Sequence, residues 1–300
     1  MDALSRVLTA LAAALLTACA SAPQPAPEIK PLAELLEASK PSEWRRPDPG
    51  NTMYMDLATG RVVIELAPAF APRNVENIKR LVRQKYFDGL SVYRVVDNFV
   101  AQWGDPDEKR DLGGAPKKVV PEFARAIGAD VDFVALPDRD VYARETGFSH
   151  GFPAARDPGA GRAWLTHCYG TLGVGRDNDE DSGNGAELYV VIGNAPRILD
   201  RNITVAGRVL RGVELLSSLP RGTGPLGYYE KPEQRTPIRQ VRMAADVPES
   251  ERVALEILRA DSPTFRAVVE GRRFRKDAWY KVPAGAVDVC ALTVPVRAPK

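Results

Sequence analysis

Histidine and cysteine are scarce in this 300-residue sequence: His150 and His167 are the two histidines, and Cys19, Cys168 and Cys290 the three cysteines. Two histidines exclude a histidine-rich metal centre. Three cysteines are too few for a disulfide scaffold, and none stands in a C-x-x-C pair, which removes the common zinc and dithiol arrangements. Charge of one sign is lacking too, since 41 Lys and Arg stand against 39 Asp and Glu, a net of +2. Affinity for nucleic acid is built from many Lys and Arg contacts to phosphate, so a near-neutral chain argues against that partner. No internal repeat is visible. What is present, 44% hydrophobic and 27% charged residues, is ordinary globular composition over a length that suits one large domain or two small ones.

The N-terminus is unlike the rest. Residues 7 to 18 (VLTALAAALLTA) are an apolar run behind Arg6, similar to the first two regions of an export signal. At about twelve residues the run is too short to span a bilayer, which takes roughly 20. It ends in Leu16-Thr17-Ala18-Cys19, which resembles a bacterial lipobox, where the thiolate of the cysteine accepts a lipid. An ordinary signal peptide with a fortuitous cysteine is the competing reading, and both make the protein an exported one. With Cys19 lipidated and no acidic residue after it, the expected location is the periplasm, anchored to the outer membrane. Prolines 23, 25, 27, 41, 47 and 49 then make 19–50 a semi-rigid tether, interrupted by a short helical patch at Pro31 to Ser39.

Two strand-like runs, 52–57 and 61–66, flank Ala58-Thr59-Gly60 and predict a hairpin. Val75, Ile78, Leu81 and Val82 then fall on one helical face, with Pro72 where a first-turn proline is tolerated. Strands follow at 91–96 and 99–103 around the turn Asp97-Asn98. This order predicts α+β with a mostly antiparallel sheet. From about 107 to 166 the pattern dissolves into a loop-rich insertion. Strands are predicted again at 170–174, 187–192 and 203–209, a helical pattern at Val213, Leu216 and Leu219, and an amphipathic helix at ERVALEILRA (251–260), broken at Asp261-Ser262-Pro263.

The segment 91–105, SVYRVVDNFVAQWGD, carries the most chemistry. On an extended strand Arg94 shares a face with Val92 and Val96, and an arginine on an apolar face needs a reason. It could snorkel and pair with a carboxylate across the sheet. Alternatively Phe99, Val100 and Gln102, arriving after a tight turn, surround the guanidinium with an aromatic ring, an aliphatic group and an amide.

Residues 62 to 106, from VVIEL through APRNVEN and YFDG to FVAQWGDP, resemble the N-terminal signature of the cyclophilin family of peptidyl-prolyl isomerases. Residues 170 to 209 are similar to that family's second half, with its Gly-Ser-Gln-Phe-Phe strand and Leu-Asp…Gly-Lys-Val ending. The resemblance covers about half the chain and implies a mainly β fold with helices, a closed antiparallel β-barrel of cyclophilin type. It assigns Arg94 the place of the catalytic arginine, with Phe99, Val100 and Gln102 in the proline pocket. Gly175 and Arg176 take the positions that bind the backbone before the proline, Tyr189 that of the pocket phenylalanine, and Leu199 that of the pocket leucine. The sequence departs from the pattern at Tyr93 (histidine in the family), Arg176 (asparagine), Glu187 (glutamine) and Ile203 (the histidine that rims the pocket). Ile198 stands where many members carry the tryptophan associated with cyclosporin binding, which implies poor sensitivity to that drug. The implied substrates are proline-containing polypeptides, with no cofactor and no metal.

Other matches are weaker. Gly147-Phe148-Ser149-His150-Gly151 fits G-x-S-x-G, but the strand-to-helix turn that exposes such a serine is not apparent. Asp177, Asp179 and Asp181 imitate a calcium loop, yet Ser182 and Leu188 occupy its glycine and glutamate positions. His167 beside Cys168 suggests a thiol nucleophile, although the family has a structural histidine there. Cys168 and Cys290 could pair in an oxidising compartment, a distance no sequence reveals. The basic run 272–276 is read as a solvated helix face, with contact to anionic surfaces as the minor alternative. The chain therefore divides into a signal peptide (1–18), the tether, an isomerase domain over 51–220 and a C-terminal α/β extension over 221–300. A rival reading keeps the same barrel as a proline-peptide-binding or envelope-assembly module.

Overall fold

The computed structural model describes residues 29–300, so the run predicted to be an export signal, Cys19 and the first part of the predicted tether lie outside the described residues. The remainder of the tether is built into the fold. Helix α1 (Leu32–Ala38) and strand β1 (Trp44–Arg45) bury Trp44, with Leu36 packed beside it, in a core shared with the C-terminal segment.

The hairpin forms as predicted from β2 (Thr52–Leu57) and β3 (Gly60–Leu66). Helix α2 (Pro72–Arg83) opens with Pro72 in its first turn and buries Val75, Ile78, Leu81 and Val82. Its N-cap, Ala71, offers no side-chain acceptor. The carboxylate of Glu122 instead accepts from the free N–H groups of Arg73 and Asn74 at 3.0 and 2.9 Å, placing negative charge where the helix dipole favours it. Strands β4 (Ser91–Val95) and β5 (Val100–Gly104) pair antiparallel across Asp97-Asn98.

The segment expected to be loop-rich contains a five-stranded antiparallel sheet of β6 (Arg125–Ala126), β7 (Val134–Ala135), β8 (Glu145–Ser149), β9 (Phe152–Asp157) and β10 (Arg162–Leu165), in the order β6-β10-β9-β8-β7. Its strands bury small residues such as Ala154, Ala155 and Ala163, which leave little apolar periodicity to detect. His150 and Gly151, both at positive φ, turn the β8–β9 hairpin. Ser149 is thus a buried strand residue, and no nucleophile elbow exists there.

Strands β11 (Thr171–Val174), β12 (Leu188–Val191) and β13 (Val205–Arg211) follow, then the short helix α3 (Val213–Ser217) and strand β14 (Thr236–Met243). Eight strands close a barrel in the order β11-β12-β5-β4-β14-β2-β3-β13, filled by Trp103, Met53, Met55, Ile64 and Leu172 among others. The strand β14 lies beyond residue 220, so the barrel reaches into the stretch that the sequence reading assigns to the extension. Ile238, Val241 and Met243 point into its core.

After the barrel, ERVALEILRA is extended rather than helical. Ile257 and Leu258 are both buried, and β15 (Glu256–Leu258) pairs with β1 and with β16 (Val296–Arg297). Ser262-Pro263 starts a helix rather than breaking one: Ser262 Oγ accepts from the Phe265 N–H at 3.0 Å, and α4 runs Pro263–Phe274. A Cys168–Cys290 disulfide ties this terminal unit to the chain entering β11.

Candidate functional site

Four adjacent strands of the barrel wall carry the site. Register pairs Arg94 on β4 with Gln102 on β5, Gln102 with Tyr189 on β12, and Tyr189 with Gly173 on β11. With strands about 4.8 Å apart this row spans roughly 14 Å. The Tyr189 ring lies flat over Gly173, where a Cβ would fall 2.1 Å from it.

A register shift between Val92 and Arg94 changes what alternation predicts. Val92 faces the barrel core, while the side chains of the consecutive residues Tyr93 and Arg94 both reach Gln102. Arg94 therefore does not share a face with Val92. Its Nη1 donates to Gln102 Oε1 at 2.8 Å and its Nε to the carbonyl of Leu226 at 2.8 Å. Among the described residues no carboxylate pairs with Arg94, and its Nη2 donates to no protein acceptor.

Behind Arg94 the hydrogen bonds continue. Gln102 Nε2 donates to the Tyr93 hydroxyl, which donates to Glu187 Oε2, both at 2.5 Å. Burial pushes the Glu187 carboxyl up to about 7, the Tyr93 hydroxyl limiting the rise, and its Oε1 is buried without a partner. Burial likewise raises the Tyr93 hydroxyl, and the neighbouring Glu187 charge adds to this.

An apolar cluster adjoins this row. Val100, Tyr189 and Val191 are buried together, and the half-exposed Val96, Phe99 and Ile203 pack against them. Leu199 is not in that cluster; it sits in the next turn, its carbonyl accepting from the Ile203 N–H at 3.2 Å. Tyr189 is anchored from beneath. His167 Nδ1 lies 3.0 Å from Asp200 Oδ1, which as an acceptor assigns the proton to Nδ1 and leaves Nε2 to accept from the Tyr189 hydroxyl at 2.9 Å. Asp200 in turn pairs with Arg197, and Arg197 with Asp140 from the loop between β7 and β8, these last two being 3% exposed. Burial works to raise the Asp200 carboxyl, but His167 and Arg197 hold it below the ordinary range. Burial also raises the Tyr189 hydroxyl. His167 and Cys168 are structural: one supports the pocket and the other is in the disulfide.

Gly175 adjoins Gln102 and Glu187, 3.4 and 3.0 Å from where its Cβ would stand. Arg176 is tied down by the carbonyls of Asn202, Asp177 and Asn178 and lies over the Phe123 ring at 5.5 Å. Asp179 and Asp181 pair with Lys118, and among the described residues no group of three or more His, Cys, Asp and Glu is placed to hold a metal ion.

Two neighbours of Arg94 escaped the sequence reading. Leu226 supplies a carbonyl, and Tyr228 stacks on Tyr93 with centroids 5.7 Å apart while the Arg94 guanidinium lies 5.8 Å from its ring centre. Gly224-Pro225 is the kind of pair that signals a turn, but nothing in it says that the chain after it bridges to Arg94 on β4.

The site therefore sets a partly exposed apolar cluster beside one guanidinium held at two of its nitrogens. Residues 52–243 match the family model for cyclophilin type peptidyl-prolyl cis-trans isomerase. A cyclophilin from Hirschia baltica has a crystal structure similar to this chain, with a TM-score of 0.65 and 29% identity, covering 82% of this chain and 94% of that one. A probable peptidyl-prolyl cis-trans isomerase of Brucella suis is 28% identical over 176 residues, 59% of this chain and 74% of its own length. A peptidyl-prolyl cis-trans isomerase of Arabidopsis thaliana is 28% identical over 200 residues, 61% of this chain and 70% of its own.

Proposed function

Because this chain belongs to the cyclophilin-type peptidyl-prolyl cis-trans isomerase family, we propose that Arg94 stabilises the twisted X-Pro amide while the neighbouring apolar pocket grips the proline ring. Rotation about the bond breaks amide resonance, a barrier of roughly 18–20 kcal/mol. At the twisted geometry the proline nitrogen becomes pyramidal and regains a lone pair. Arg94 Nη2, which has no protein acceptor among the described residues, donates to that nitrogen. One preorganised donor of this kind supplies about 3 kcal/mol, roughly a hundredfold in rate. Gln102 and the Leu226 carbonyl hold the guanidinium from two sides, so little reorganisation accompanies the step. Phe99, Val100, Tyr189 and Ile203 immobilise the ring while the rest of the peptide turns.

The observation that carries this reading is the Arg94–Gln102–Tyr189 register, which puts donor and pocket in one row. We assign the substrates to proline-containing polypeptides that are unfolded or newly exported, and the protein to the periplasm, anchored to the outer membrane through Cys19. The Cys168–Cys290 bond supports an oxidising compartment. A proline-peptide isomerisation assay on the wild type and Arg94→Ala tests the mechanism. The expected result is acceleration by the wild type and a loss of about a hundredfold in the variant. Peptide binding with equal, uncatalysed rates for both would favour the binding module instead.

A further inference from the structure

We infer that residues 272–282, the end of α4 and the turn after it, form a docking surface for an anionic phospholipid bilayer. Three of the four tryptophans, Trp44, Trp103 and Trp164, are buried, whereas Trp279 is 83% exposed. Val282 is 82% exposed, and Phe274 and Tyr280 are exposed as well. The turn that presents Trp279 is a built one. Asp277 Oδ1 accepts from the N–H groups of Trp279 and Tyr280, both at 2.8 Å, and the Tyr280 carbonyl accepts from the Asp277 N–H at 3.0 Å. Arg275 pairs with Asp277 and lies 4.1 Å from the centre of the Tyr280 ring.

Cations surround these apolar tips. Arg272, Arg275, Lys276 and Lys281 belong to the segment, and Lys30 lines the same groove from the N-terminal side. The segment's one acid, Asp277, is neutralised by Arg275, and Arg273 is turned away to Asp138 and Glu270. Aromatic residues with a polar edge favour the bilayer interface, and Lys and Arg favour an anionic one. Trp279 and Val282 are the most exposed of these side chains and are not among those lining that groove, so they are free to enter a deformable lipid surface. No helix among the described residues is long and apolar enough to cross a membrane, so the contact is one of surface.

The path of the chain points to the same occupant. Ile29 lies against α4, its Cγ2 3.9 Å from where a Cβ on Gly271 would stand. Cys19 precedes Ile29 by ten residues, which span about 35 Å at most. A lipid on Cys19 would therefore keep Ile29, and α4 beside it, within about 35 Å of the membrane. The inference rests on the export reading for that delivery, but the contact itself does not need lipidation.

The test uses the full chain with Cys19→Ser, mixed with vesicles of phosphatidylglycerol and, separately, of phosphatidylcholine. Tryptophan emission reports the loop, because Trp279 is the exposed indole. On phosphatidylglycerol the emission shifts to the blue and is quenched by brominated lipid, and on phosphatidylcholine it does neither. Trp279→Phe abolishes the change, and Lys276→Glu with Lys281→Glu weakens vesicle partitioning at least tenfold at low salt, with the circular dichroism spectrum unchanged. Absence of vesicle binding overturns the inference. So does bound protein with unaltered Trp279 emission, which would mean attachment through residues 7–18 alone, or an equal response on both lipids. Mass spectrometry of Cys19 in cells addresses the lipid anchor separately, so the two can fail independently.

Discussion

Tyr93 on β4 and Glu187, the residue that leads into β12, lie on either side of β5, and a 2.5 Å hydrogen bond joins them beside Gln102. Both depart from the family pattern, a tyrosine for a histidine and a glutamate for a glutamine. Together they form a continuous path, Glu187–Tyr93–Gln102–Arg94, that holds the guanidinium from the Gln102 side.

That pair makes stability depend on pH. Glu187 holds its proton more tightly in the folded chain, with its value near 7, than in the unfolded one, near 4.5. The folded state is therefore favoured most below the unfolded value, and that advantage fades as pH rises through 7. The difference is worth roughly 3 kcal/mol. Denaturant titrations at pH 5 and pH 8 are expected to show Glu187→Gln gaining stability relative to the wild type by about this amount at the higher pH, while isomerase activity persists. Parallel pH profiles for the two proteins would mean that Glu187 does not titrate in this window.

Tyr189→Phe keeps the pocket's shape and removes the hydroxyl that satisfies His167 Nε2. A buried acceptor left without its donor costs about 1–3 kcal/mol. Thermal unfolding should register that loss, while KM for a proline peptide changes little. A large rise in KM with unchanged stability would show that the hydroxyl, not the ring, contacts substrate.

Gly173→Ala acts on the same ring from the other side. The new Cβ would meet the Tyr189 ring at 2.1 Å, so the ring must leave its seat. Overpacking of this kind costs about 1–3 kcal/mol. Here KM is expected to rise severalfold, in contrast to Tyr189→Phe, and steady-state kinetics on the two variants separates ring position from ring chemistry.

Removing the disulfide with Cys168→Ser and Cys290→Ser frees a cross-link spanning 122 residues. The expected loss is about 3–5 kcal/mol. Dithiothreitol should reproduce it in the wild type and leave the variant unaffected. Equal melting temperatures for oxidised and reduced wild type would show that the terminal unit is held by its apolar contacts alone.

Much of the barrel was legible because its strands and α2 bury one face of long side chains, and turns such as Asp97-Asn98 punctuate them. The pairing of Arg94 with Gln102 was legible because a short hairpin brings near neighbours together. What escaped depends on distant chain. The register shift at Tyr93 arises in pairing with β5 and leaves no mark on β4 alone. Tyr228 reaches Arg94 from more than a hundred residues away. The inserted sheet was hidden by alanine-rich strands, and α4 was misplaced because Ser-Pro both ends one element and begins the next.

The inserted sheet also bears on how far this barrel can be treated as a separable part. Glu122 caps α2, and Asp140 completes the chain of ion pairs and hydrogen bonds that ends at the Tyr189 hydroxyl. Excising 107–166 would leave two backbone donors bare at a helix end and strand the buried Arg197 with one carboxylate instead of two. A trimmed barrel would therefore lose supports that lie outside its own strands, and transplanting the Arg94–Gln102–Tyr189 row means carrying the insertion with it.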